Sequence, residues 1–386
     1  MKRLAAVLFS LAVLSAPLGA QRGSAPPTKP LDIYIVDTEG GKAALWVSPS
    51  GQSLLIDSGN PGDRDLDRIM AAINDAGLKQ IDFLISTHYH VDHIGGLTEL
   101  AKRIPIAHFI DHGPSVEPRQ QAQGFDIAYT ELYGKAKHTV VKPGDKVPIA
   151  GLDWRIVTSA GKGLKTPLPG GGKANPACAG VAMKEPAPTD DNSQSVGSVI
   201  TFGQFRAIDL GDLLWNNELD LVCPSNPVGT VDVYFVTHHG LDASGAPPLV
   251  HGVQPRVAIM QNGTRKGAGA QAVATIRSSP GLEDLWQLHW SYNAGIEQNS
   301  AGVFIANVDD AATIANVLTA PPRGGGPGGG APGGGGPGNG APGGGGRGAG
   351  AGAHTPAYWI KVSAKADGTF TVTNSRNGFS KTYAKR

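Results

Sequence analysis

The stretch "IDFLISTHYHVDHIGG", residues 81–96, constrains the fold of this chain more than any other. Its first half is an apolar run of strand length. Its second half delivers His88, His90, Asp92 and His93 just before Gly95 and Gly96. An extended segment leaving a strand turns residues two apart to one side, so His88 and His90 face the same way. Asp92 and His93 add a carboxylate and an imidazole across the following turn, and this donor set suits a zinc-like cation. One mononuclear site leaves some of the four unused, whereas two adjacent cations use them all. Five of the 11 histidines lie here or in "VTHHG" at 236–240. Packing does not explain that concentration, so a polar loop of unmetallated histidines is the weaker reading.

The N-terminus reads as an export signal: Lys2 and Arg3 precede the apolar run "LAAVLFSLAVL", and small residues follow in "SAPLGAQ". Residues 1–20 are assigned to a signal peptide and the mature protein to the periplasm or the exterior. An uncleaved anchor is disfavoured because the run is short for a bilayer span, so no membrane association is expected beyond the signal. Its removal leaves 31 basic against 32 acidic residues, a balance that gives no strong nucleic-acid signal. In an oxidising compartment the two cysteines, Cys178 and Cys223, are expected to pair. Nothing in the sequence fixes an oligomeric state.

Residues 21–320 read as the main domain. "LDIYIVD", "KAALWVS" and "SLLIDSG" are strands, and "DRDLDRIMAAINDAG" is a helix with Leu66, Ile69, Met70 and Ile73 at helical spacing. "GGLTELAKR" and "AQAVATIRSS" are further helices, and residues 160–190 look like a long loop. Residues 321–354 form a Gly/Pro-rich disordered insert, in which 18 of the 30 positions from 321 to 350 are glycine. Residues 355–386 alternate around a "DG" turn and form a C-terminal β-hairpin. A lone hairpin is marginal in water, so it is expected to pack on the main domain.

H-x-H-x-D-H after an apolar strand and before Gly-Gly resembles the signature of the metallo-β-lactamase superfamily of metal-dependent hydrolases. "IDSG" at 56–59 is similar to its turn before the first helix, "FRAIDLGD" at 205–212 to its strand ending in a bridging aspartate, and "VYFVTHHG" to the strand delivering its last histidine. The resemblance runs from about residue 31 to 320. The branch it most resembles contains the soluble domain of bacterial competence (DNA-uptake) channel proteins and related phosphodiesterases, through "IYIVDTEGGKAALWVSPSGQSLLIDSG", "DDNSQSVGSVITFGQFRAIDLGDL" and "HHGLDAS". It departs from that branch in "DTEGG" and in lacking a His-Pro element after "QNG".

The resemblance implies an α/β fold, the four-layer αββα sandwich, with metals at one edge where strand-end loops meet. It implies two divalent metal ions, zinc first and manganese as the alternative. His88 and His90 would bind one, Asp92 and His93 the other, and Asp212 would bridge them. Of the histidine pair, His238 is taken as the ligand because it directly follows its strand, and His239 is placed towards substrate. No Gly-His-Thr element supplies the third ligand of the first metal. Asp191 is the first candidate, Asp190 and Asn192 the next, with His112 and His138 read as exposed-loop residues. Asp92 would orient the nucleophilic water and shuttle a proton. Ser58 and Ser193 are read as a turn residue and a loop hydrogen-bonder. Asn262, Arg265 and Lys266 on the loop after "VAIMQ" could hold one phosphate, with a solvated surface charge the preferred reading of Arg265 and Lys266. The expected activity is hydrolysis of a phosphodiester or small-molecule substrate. The alternatives are hydrolysis of a β-lactam, lactone or ester by the same site, or a non-catalytic metal-binding protein.

Overall fold

The computed structural model describes residues 29–117, 129–134, 136–185, 190–295, 298–319 and 356–386. The segments assigned above to the signal peptide and to the Gly/Pro-rich insert lie outside the described residues.

The first sheet contains β1 (Leu31–Ile35), β2 (Ala44–Val47), β3 (Ser53–Ile56), β4 (Phe83–Ile85), β5 (His108–Asp111) and β6 (Lys137–Val140). The second is built from β7 (Lys146–Val147), β8 (Asp153–Ser159), β11 (Gly197–Phe202), β12 (Phe205–Asp209), β14 (Val233–Phe235), β15 (Val257–Met260), β16 (Asp284–His289) and β17 (Ile305–Asn307), with β9 (Lys162–Gly163) paired to β8. The chain then returns to the first sheet as β18 (Ile360–Ala364), β19 (Phe370–Asn374) and β20 (Ser380–Tyr383). β18 lies antiparallel to β1 with Ile33 opposite Val362, so the C-terminal strands extend the N-terminal sheet, and the Trp286 indole donates to the Tyr383 hydroxyl of β20 at 3.0 Å. Within the stretch read as a long loop, β10 (Lys173–Ala174) pairs with β13 (Ser225–Asn226). The Cys178–Cys223 disulfide closes beside that pair.

The strands read as continuous apolar runs because both faces of each sheet are covered. Ile33, Ile35, Leu54, Ile56, Phe83 and Ile85 face Val233, Phe235, Val257 and Ile259 of the other sheet in one core. Trp46 meets Trp154 edge-on across it, with ring centroids 5.0 Å apart. The intervening residues Tyr34, Leu55 and Leu84 point outward to α1 (Asp63–Asp75) and α3 (Leu97–Arg103), covered by Leu66, Ile69, Ile73 and Leu100. On the far side Tyr234, Ala258 and Met260 meet residues of α4 (Trp215–Val222), α5 (Pro247–Val253) and α6 (Ala270–Arg277). The result is a four-layer αββα sandwich, and each buried Leu, Ile, Val or Phe contributes about 1.5–3 kcal/mol.

β3, β4 and β5 run parallel, as do β12, β14 and β15. The loops after β4, β12 and β14 carry the motif, Asp212 and the paired histidines, and they meet at one edge of the sandwich. Among the described residues, no helix is long and apolar enough to cross a membrane.

Candidate metal centre

After β4 the chain stays extended through His90, then makes one helical turn, α2 (Val91–Ile94). That turn brings His93 back under His88, with ring centroids 4.0 Å apart. The Gly-Gly pair is required by contact: a Cβ on Gly95 would lie 2.2 Å from the Val91 carbonyl oxygen and one on Gly96 2.4 Å from that of Ser58. Both have helical φ, so it is the close approach of the 58–61 turn that excludes a side chain.

Asp92, His93, Asp212 and His239 form one cluster whose donor atoms all lie within 4.8 Å of one another. Asp212 Oδ2 is 3.2 Å from Nε2 of both His93 and His239. Asp92 Oδ2 is 3.3 Å from the same two atoms. Asp212 Oδ1 and His88 Nε2 are buried with no protein partner. Burying polar atoms unpaired is costly. Two orphaned donor atoms beside two carboxylates and three imidazoles therefore fit a set that expects cations.

Asp57, read from sequence only as part of a turn, organises this set. It sits at φ 59 at the end of β3, and its Oδ2 accepts from His93 Nδ1 at 2.8 Å and from the Thr87 hydroxyl at 2.7 Å. Having donated to Asp57, Thr87 Oγ1 accepts from His88 Nδ1 at 3.1 Å. One carboxylate thus fixes both imidazoles with Nε2 towards the cluster, the outer-shell role that ligating histidines require. The signal for it is its position one residue beyond the apolar "SLLI" run.

The structure places the two C-terminal histidines differently from the sequence reading: His239, not His238, joins the cluster. Both lie in left-handed backbone, His238 at φ 54 and His239 at φ 55, a conformation that costs of order 1–3 kcal/mol per residue. This double reversal carries His239 into the cluster, where its Nδ1 donates to the Gln261 carbonyl at 3.0 Å. His238 stands beside it, 3.5 Å from Asp212 Oδ2, with Nδ1 on the Ser244 hydroxyl at 3.1 Å. Proximity to the strand end is a poor guide because the turn does not continue the strand direction. Gly267 packs where a Cβ would be 2.0 Å from the His239 carbonyl oxygen, which holds the turn in place.

Asp191 does not join the cluster. Its Oδ2 accepts from the Tyr89 amide at 2.7 Å and His112 Nε2 at 3.2 Å, and its Oδ1 from the Ser115 hydroxyl at 3.2 Å and the Val116 amide at 3.0 Å. Four donors occupy the carboxylate, which braces the motif against the 112–116 segment. His112 is buried on Asp191, not in an exposed loop. His138, on β6, bonds Asp111 at 2.8 Å and stacks on Tyr133. The neighbouring Asp190 Oδ1 and Asn192 Oδ1 are both buried without partners, and of the two only Asp190 brings the anionic carboxylate that a divalent cation favours. His90 lies 4.7 Å from His88 between ring centroids and pairs with Glu117 at 3.0 Å. Ser193 bonds the Asp190 carbonyl at 2.6 Å and Ser58 the His93 carbonyl at 3.1 Å; both are structural. A second cluster, Asp37, Glu39 and His289, already holds a cation, the Arg68 guanidinium, 2.9 Å from Asp37.

The charges follow from this geometry. Burial alone would push the His93 imidazole down, but the carboxylates of Asp212, Asp92 and Asp57 hold it well above the ordinary histidine value. Burial would raise the Asp92 and Asp212 carboxyls, and the surrounding imidazoles, with Lys266 at Asp92, hold both well below the usual range. Burial lowers His88 strongly and His238 to about 4. The metal-free cluster therefore favours a proton on His93, which a cation must expel because only neutral imidazole ligates. Below the folded pKa of His93, zinc affinity is expected to rise about tenfold per pH unit. Calorimetry in buffers of different ionisation enthalpy should show a proton released on zinc binding; heats independent of buffer would refute the protonated cluster.

Residues 37–173 match the model of the metallo-β-lactamase superfamily. That span includes Asp57 and the whole histidine motif and ends before Asp212. Ribonuclease Z of Methanopyrus kandleri is 32% identical over 111 residues, which is 28% of this chain and 36% of that protein. The match thus spans about a third of the curated relative. Among solved structures, a metal-dependent hydrolase of the β-lactamase superfamily has a TM-score of 0.41 at 13% identity, covering 68% of this chain and 97% of that one. The diiron β-hydroxylase CmlA of Streptomyces venezuelae has a TM-score of 0.35 at 16% identity, covering 61% of this chain and 45% of that one. The family match supports the metallo-β-lactamase superfamily, and the mixed α/β sandwich is consistent with its fold.

Proposed function

We propose that the chain is an exported, dinuclear metal-dependent hydrolase of the metallo-β-lactamase superfamily that cleaves phosphodiester bonds. The observation that carries the reading is Asp212, whose Oδ2 faces His93 and His239 while its buried Oδ1 has no protein partner. A bridging ligand must offer one oxygen to each of two ions, and the buried, unpartnered Oδ1 leaves Asp212 a second oxygen to offer.

Asp92, His93 and His239 would hold one divalent ion, His88, His90 and Asp190 the other, with Asp212 shared. When bound, such ions supply acidity to a water and positive charge opposite a developing oxyanion. The protein's own part is to hold this geometry. Asp57 fixes the tautomers of His93 and, through Thr87, of His88. The Gln261 carbonyl fixes His239. Asp92 is ionised and is the most exposed member of the cluster, its side chain 18% accessible against 4% for Asp212. It is the group placed to orient a nucleophile and carry a proton outward to the leaving group.

The phosphodiester class is supported by the similarity to ribonuclease Z over 111 residues and by the resemblance to the competence-protein branch. Export is supported by the apolar N-terminal run behind Lys2 and Arg3. The same cluster suits a β-lactam, lactone or ester, and substrate comparison separates these. The metal-loaded protein is expected to hydrolyse bis(p-nitrophenyl) phosphate and to leave nitrocefin intact. Turnover of nitrocefin or a simple lactone without diester cleavage would move the assignment to that second class.

A further inference from the structure

Lys266 reads from sequence as a solvated charge, yet its ammonium contacts Asp92 Oδ2, 174 residues away in the chain. Among the described residues Asp92 is the acceptor it meets. That oxygen also faces Nε2 of His93 and His239, at 3.3 Å each. The lysine head thus touches the cluster, while its side chain remains 36% accessible to solvent.

The segment that delivers it is pinned on three sides. The Gly263 amide donates to the Lys266 carbonyl at 3.0 Å and closes the turn. The buried Asn262 amide donates to the His289 carbonyl at 2.9 Å. The Ala268 amide donates to the His239 carbonyl at 3.2 Å, and Gly40 packs where a Cβ would be 3.0 Å from that of Lys266. Neighbouring Arg265 lies over the Tyr292 ring at 5.1 Å instead. The lysine backbone is therefore fixed and its four-carbon stem is the movable part.

A divalent ion held by Asp92, His93 and His239 needs the oxygen that the ammonium contacts. Two cations on one carboxylate oxygen repel, so a bound ion would displace the ammonium from Asp92, and the 36% accessible side chain leaves it room to turn towards solvent. The ligand set has no use for a lysine, and in the metal-free protein this one competes with the ion. We propose that Lys266 is the anion-selecting residue of the site: displaced from Asp92 by the metal, it contacts the non-bridging oxygen of a phosphate-type substrate and disfavours neutral ones. The inference rests on the metal-dependent reading above and adds the residue that selects charge.

The test compares wild type, Lys266→Met and Lys266→Arg in the full chain. Chelator competition measures zinc affinity, calorimetry measures inorganic phosphate binding to the zinc-loaded protein, and p-nitrophenyl acetate is the neutral comparison for bis(p-nitrophenyl) phosphate. Loss of one charge-assisted contact predicts about 10- to 100-fold weaker phosphate binding in Lys266→Met. A similar fall is expected in the ratio of diester to acetate kcat/KM, borne mainly by KM. Lys266→Arg should retain most of the phosphate affinity, and metal-free Lys266→Met should bind zinc more tightly than wild type. Unchanged phosphate binding, or equal losses on both substrates, would overturn the proposal. If wild type cleaves no diester, the phosphodiester assignment fails while the phosphate titration still decides the role of Lys266.

Discussion

Replacing Asp212 with alanine is expected to lower turnover by about a thousandfold or more, the scale seen when a buried electrostatic element of an active site is removed. The effect should be this large because the proposed dinuclear reading has Asp212 shared by both ions. It lies 3.2 Å from both His93 and His239 through one oxygen and keeps the other unpaired. Metal content should fall with activity, and Asp212→Asn, which keeps the shape and loses the charge, should behave like alanine. The metal-free protein gives an independent stability readout. The folded pKa of Asp212 is depressed, so its contribution is present above its ordinary value of 3.8 and fades as pH falls through the folded value. That of His93 is raised, so its contribution is complete below 6.5 and fades as pH rises through the folded value. The carboxylate–imidazolium cluster is complete in the window between, and there Asp212→Asn should lower Tm most. An equal loss of Tm at all pH values would show that Asp212 only fills space.

The second large effect separates the paired histidines. His239→Ala removes a cluster member and should cost about 100- to 1000-fold in activity and bring bound metal down towards one ion per chain. His238→Ala removes a side chain that borders Asp212 at 3.5 Å and bonds Ser244, so its cost should be about tenfold with metal content kept. Steady-state kinetics and metal analysis of the two variants read this directly. If His238→Ala loses the metal and His239→Ala keeps it, the local geometry drawn from the turn is wrong.

The sandwich is legible in the sequence because its strands alternate between two cores. Ile33 and Ile35 enter the inter-sheet core and Tyr34 the helix-covered face, so these strands appear in the sequence as short apolar runs bounded by turn residues. The motif is legible because four candidate ligands, three histidines and an aspartate, within six residues have few other uses. The partners of those ligands depend on backbone geometry that composition does not encode. Left-handed φ at two successive histidines places His239 in the cluster and His238 beside it. Of the adjacent Asp190 and Asp191, one is consumed by four donors and the other carries an orphaned oxygen, which no local pattern distinguishes. Asp57 and Lys266 act across 36 and 174 residues of sequence, and such pairings emerge only when the sheets bring their loops together.

The most direct measurement is the metal content of the purified full chain, alone and after incubation with zinc or manganese. Close to two ions per chain are expected, with at most one in Asp212→Ala. A wild-type chain that takes up no ion under either condition would contradict the metal centre and, with it, the hydrolase assignment.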